Sequence, residues 1–341
     1  MMIIDVGIFI GAVSVIIASA FVGQHGFLRR ALSVFAVMCG ATLLVAVMLR
    51  LVPGDPIDAI LGEQARVEAR QAMAKELGIV DESGQKMSLP RQYGHMVRGM
   101  FSGEFKSYRS RQPVFKLIAG RFHYSAALAL AAMFIAIIIG IPLGAFAAIR
   151  KGTWLDTMLM GFSAIMVSVP RIWLAPLLLL YFAIELSWLP VSGADDGFRS
   201  LVLPAASLGL ALAAVLAKQS RGAIIDVLSE DFVRTARSKG LSERVVLFKH
   251  ALRNALIPVT TLIGLQLASI LAGTVVIEKI FVWPGIGLLL IEAIQTLDMP
   301  IVQGVVLTIS FIYVFANWMT DLAYAAASGT VKCPDTPGMR A

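Results

Sequence analysis

Residues 231–258 read Asp-Phe-Val-Arg-Thr-Ala-Arg-Ser-Lys-Gly-Leu-Ser-Glu-Arg-Val-Val-Leu-Phe-Lys-His-Ala-Leu-Arg-Asn-Ala-Leu-Ile-Pro. This polar, basic island separates two long apolar runs. Lys218, Arg221, Arg234, Arg237, Lys239, Arg244, Lys249 and Arg253 crowd in and around it. A segment so charged cannot cross a bilayer, so it lies in water at one face. Its flanks do cross. The chain is 58% hydrophobic and only 15% charged, whereas about a quarter of the residues of a soluble protein are charged. Apolar runs of about 20 residues match a hydrocarbon layer of roughly 30 Å at about 1.5 Å per residue. Barrel strands would instead alternate with period two over about 10 residues. The reading is an all-α polytopic membrane protein.

Seven spans are expected, over 3–22, 31–49, 124–149, 157–186, 203–222, 255–277 and 301–325. Their orientation follows from the short connections. Arg29, Arg30, Arg150, Lys151, the basic island, Lys332 and Arg340 fall on one side, against only Arg199 and Lys279 on the other. The first side is therefore cytoplasmic, with the N-terminus outside and the C-terminus inside. The external segment 53–122 is also basic, but long loops translocate largely regardless of charge. The net charge of +7 marks the cytoplasmic face and its anionic lipid rather than nucleic acid. Residues 1–28 are expected to be a retained extra helix. A cleaved leader ending at Ala18-Ser19-Ala20 is the alternative, but no Lys or Arg precedes its apolar run.

The island has its own local grammar. Ser229 can cap a short helix over 230–239. Gly240 suits the left-handed position that ends it. Ser242 can cap a second helix over 243–254. The product is a stiff elbow joined to two spans. Phe232, Val233 and Ala236 are available for burial in a groove, with Arg234, Arg237 and Lys239 at its rim, where Arg can grip a carboxylate bidentately. The alternative is an ordinary basic loop near anionic lipid.

The order and spacing of this stretch resemble the cytoplasmic coupling loop of ABC importer permeases, in the dipeptide/oligopeptide/nickel branch. Arg234-Thr235-Ala236 with Gly240 occupies the place of that family's Glu-Ala-Ala…Gly, in the Arg-Thr-Ala form that peptide permeases show. Other stretches carry the same resemblance. They are Pro53-Gly54-Asp55-Pro56 after the second span, Tyr93 to Phe105, Val276 through Gly287 around Trp283-Pro284-Gly285, and Asp298-Met299-Pro300 opening the last span. The resemblance runs from about Phe27 to Tyr324. It implies a six-helix permease core, to which this chain adds one N-terminal helix. The domains expected are 1–28 (extra helix), 29–114 (first core helix and external loop), 115–327 (permease domain with coupling loop 226–254) and a polar tail, 328–341.

The resemblance further implies a permease subunit of an ATP-driven importer for di/oligopeptides or similar small solutes. Its ATPase-coupling residues would be Asp231, Phe232, Arg234, Thr235, Ala236, Arg237, Lys239, Gly240 and Leu241. Its partners would be a second homologous permease, two ATPase subunits, an external solute-binding protein and the lipid bilayer of a bacterial inner membrane. The external loop is then either a docking lid for that binding protein or a packed cap. The chain itself would be no enzyme and hold no cofactor, with ATP and Mg on the ATPase subunits. It contains no Gly-x-x-x-x-Gly-Lys-Ser/Thr phosphate loop. An ATP-independent carrier or channel is the alternative.

Two features stand apart. Pro142, Pro170, Pro176 and Pro258 interrupt expected spans, either as packing kinks or as breaks lining a path. Arg171 falls near the middle of the 157–186 span, where a charge is expensive. With Pro170 it is a candidate pore-lining residue. It either draws a substrate carboxylate or pairs with an acid such as Glu185, Glu278 or Glu292, or with backbone carbonyls. Cys39 and Cys333 form no disulfide framework, and the four His have no ligand spacing.

Overall fold

The computed structural model describes residues 105–242, 245–246 and 251–327, and shorter pieces between 39 and 99. The expected first span, most of the expected second span 31–49, the tail 328–341 and half of the helix expected over 243–254 lie outside the described residues. Nearly everything described is helical: α1 (Pro56–Leu61), α2 (Val67–Glu76), α3 (Val114–Ile149), α4 (Trp154–Ser168), α5 (Arg171–Leu178), α6 (Phe198–Leu228), α7 (Asp231–Ser238), α8 (Leu252–Ile280), α9 (Ile286–Gln295) and α10 (Met299–Ala327). Among the described residues, α3, α6 and the first part of α10 are long and apolar enough to cross a membrane. The polytopic all-α reading therefore holds.

The expected span 157–186 is not one rod. Helix α4 stops at Ser168, Val169 and Pro170 take extended backbone, and the chain resumes as α5, which widens into a π-helical turn over Leu179–Glu185. The two halves meet at 102°. Proline lacks the N–H that would continue the ladder and pushes the preceding residue out of helical geometry. Pro170 therefore breaks the span, whereas Pro142, Pro204 and Pro258 lie within continuous helices. Helix α3 also starts ten residues earlier than its apolar run. Helix α9 was not expected: ten residues rise only about 15 Å, too short to span.

The described residues form two compact units, those up to 125 with 284–314, and 126–283 with those from 315 to 327. The core of the first joins Val114 and Ile118 of α3 to Ile286, Leu289 and Ala293 of α9 and to Ile301, Val302 and Val305 of α10. The α9 N-terminus is capped from a distance: the buried Ser125 hydroxyl accepts the Ile286 amide at 2.8 Å. In the second unit, α6 is the central helix. A Cβ on Gly140 would lie 2.6 Å from the Ala213 carbonyl, and one on Gly209 2.8 Å from the Ala132 carbonyl. The Gly140…Gly144 spacing thus marks a backbone-on-backbone crossing of α3 and α6.

Candidate functional site

Helix α7 is the short helix expected at the coupling loop. Eight residues are too few for a helix to be stable alone, so burial must hold it. Val233 is fully buried and Ala236 is 7% exposed, packed with Val246 and with Leu228 at the end of α6. Burying a valine side chain contributes about 1.5–3 kcal/mol. The sequence reading gave Val233 and Ala236 to a partner's groove; the fold uses both internally instead. The face left outward carries Asp231, Phe232, Arg234, Thr235, Arg237, Lys239, Gly240 and Leu241. Of the nine proposed coupling residues, only Ala236 turns inward. Phe232 is 41% exposed, an aromatic ring standing at the edge of a basic surface.

The end of α7 follows the expected geometry. Gly240 sits at φ +78°, its amide donates to Arg237 O at 2.9 Å, and the Leu241 amide reaches back to Ala236 O. This is the Schellman closure that a left-handed glycine permits. The start does not follow the sequence. Glu230, not Ser229, is the N-cap, and it makes no side-chain cap bond. Ser229 instead closes α6, its hydroxyl donating to Asp226 O at 2.6 Å. Two residues, Ser229 and Glu230, separate α6 from α7.

A charged contact that the sequence reading missed lies at the same end of α6. The Arg221 Nε donates to Asp156 Oδ1 at 2.6 Å and its Nη2 donates to Oδ2 at 2.7 Å. Oδ2 also accepts the Gly152 amide at 3.0 Å. A signal was available: Asp156 and Arg221 are opposite charges flanking spans on one expected face.

On the expected external side, Asp298 is buried ahead of α10. Its carboxylate accepts the Ser107 hydroxyl at 2.6 Å and the amides of Tyr108 and Arg109 at 3.2 Å each. Burial, and secondarily the Asp298 charge, pushes the Tyr108 phenol up to about 12. Trp283 is buried just past the end of α8, with its amide donating to Glu278 O at 2.8 Å. Arg171 is the first residue of α5 and Pro170 its N-cap, so the charge sits at a helix break rather than in mid-rod. The Arg171 side chain lies outside the described residues. Of the three acids proposed as its partners, Glu292 lies 3.5 Å from Arg121. Among the described residues, no cluster of His, Cys, Asp or Glu could hold a metal.

Residues 140–331 match the family described as "Binding-protein-dependent transport system inner membrane component". The chain is 37% identical over 306 residues to the glutathione transport system permease protein GsiC of Escherichia coli strain K12, covering 89% of this chain and 98% of that one. The same identity and coverage hold for GsiC of Salmonella typhimurium strain LT2. The MetNI methionine ABC transporter, in an inward-facing conformation, is similar in fold: TM-score 0.55 at 16% identity over 63% of this chain and 98% of that one. The conclusion expected from residues 231–258 holds: the chain belongs to the binding-protein-dependent transport system inner membrane component family, as a multi-pass permease subunit of an ABC importer.

Proposed function

We propose that this permease carries di/oligopeptides or similar small solutes inward and takes its power stroke at the outward face of α7. The observation that carries the reading is the division of labour within α7. Val233 and Ala236 anchor it to its own chain, while Phe232, Arg234, Thr235 and Lys239 are left exposed. A partner can thus push on a helix already fixed to α6. The substrate class rests on GsiC, a glutathione transport system permease, since glutathione is a small peptide. The working unit comprises a second homologous permease, two ATPase subunits that hold ATP and Mg, and an external solute-binding protein. The N-terminus lies outside and the C-terminus in the cytoplasm. ATP closure of the ATPases would tilt α7 and α6 together, biasing a two-state element. Pro170 and Arg171, at the break between α4 and α5, are the candidate pore-lining pair.

Reconstitution tests this. In proteoliposomes, the assembled complex with its binding protein should accumulate a labelled dipeptide or glutathione only with ATP inside the ATPase-facing compartment. The chain without ATPases should be inert. Uptake by the chain alone would make it an ATP-independent carrier and overturn the proposal.

A further inference from the structure

We infer that Asp156 and Arg221 are positioning residues that lock the α3–α4 turn and the end of α6 into one rigid block with α7, so that a push on α7 reaches the broken helix α4–α5. This inference rests on α7 being the coupling element. The ion pair is bidentate, and its carboxylate is almost fully enclosed, with the Asp156 side chain 5% and the Arg221 side chain 26% exposed. Such a fork fixes orientation as well as distance. Asp156 also holds the turn preceding its own helix. The Gly152 amide, at a left-handed φ of +80°, donates to Oδ2, and Thr153 caps the Asp156 amide while its own hydroxyl donates to Arg150 O at 2.7 Å. One carboxylate therefore ties turn 150–153 and the first turn of α4 to α6.

The other contacts of the block are apolar and lie close by. Ile224, one turn beyond Arg221, is buried against Ala148 at the end of α3 and Ala255 at the start of α8. Leu228 continues the same helix into the small core beneath α7. Apolar contacts can slide, because they have no direction. A doubly hydrogen-bonded pair with an enclosed carboxylate cannot slide without leaving that carboxylate unpaired. The pair therefore supplies the register, and the apolar contacts supply the adhesion.

The test uses the assembled complex, with Cys39 and Cys333 replaced by serine and spin labels at Lys151→Cys and Ser238→Cys, both exposed sites. The expected result is one narrow distance, the same in nucleotide-free and ATP-trapped states. In Asp156→Asn the distance should broaden or differ between states, and solute moved per ATP should fall by about two- to thirty-fold. A distance that changes between states without the Asn substitution overturns the inference. So does an Asp156→Asn complex with the same narrow distance and full transport per ATP. If Asp156→Asn does not assemble, the distance comparison without it still decides. The mobility of the Ser238 label on adding the ATPase reports separately whether the partner seats on α7. An unchanged spectrum there rejects the coupling reading, not the block.

Discussion

Ser107 and Asp298, 191 residues apart in the chain, meet in a buried 2.6 Å hydrogen bond. Two more backbone amides converge on the same carboxylate. The loop leading into α3 is thereby fastened to the N-terminus of α10. Asp298→Ala leaves the Ser107 hydroxyl and the Tyr108 amide without this acceptor, each costing about 1–3 kcal/mol when buried, while the Arg109 amide keeps its bond to the Ser107 hydroxyl oxygen. Trypsin should then cut faster at Arg109 or Arg111, and the purified protein should melt earlier. Unchanged cleavage would mean that the clasp does not hold the loop.

The Tyr108 phenol, pushed up to about 12, titrates above its ordinary value near 10. The unfolded chain loses this proton first. The phenol's contribution to stability is therefore complete below about pH 10 and is lost as pH rises toward 12. A difference titration of phenolate absorbance, wild type minus Tyr108→Phe, should show a step near 12. A step at 10 would place Tyr108 in water.

Val282 adopts φ +50° at the end of α8, a position where a β-branched residue is strained. Its neighbour Trp283 makes the closing bond to Glu278 O. Val282→Gly should relieve roughly 1 kcal/mol and raise the melting temperature by a few degrees. A lower melting temperature would show that the Val282 side chain itself is needed.

At the α3–α6 crossing, a side chain on Gly140 meets the Ala213 carbonyl and the Leu216 side chain. Gly140→Val should cost about 1–3 kcal/mol through overpacking, read as lost thermal stability in detergent. Gly120, with nothing within 4 Å of an added Cβ, is the control and should tolerate alanine.

Much of this was legible in the residues. Span length and polarity placed α3, α6, α8 and α10, and Gly240 announced the end of α7, because those features follow from local chemistry. What was not legible depended on tertiary partners. The sequence offered Ser229 as a cap, but α6 runs on to Leu228 and takes Ser229 for its own end. Val233 read as a contact for another chain because nothing local says that Val246 covers it. The 157–186 run looked like one span because hydropathy ignores Pro170, while backbone geometry does not. The pairing of Asp156 with Arg221 required knowing that α4 and α6 are neighbours.

The most direct test of the account is co-purification of the ATPase with α7 variants in mild detergent. Phe232→Glu combined with Arg234→Glu alters only exposed side chains. The ATPase should be lost by about thirty-fold, as for an anchor of about 2 kcal/mol, while the second permease stays bound. An ATPase retained at the wild-type ratio would contradict the claim that the outward face of α7 is where the motor engages.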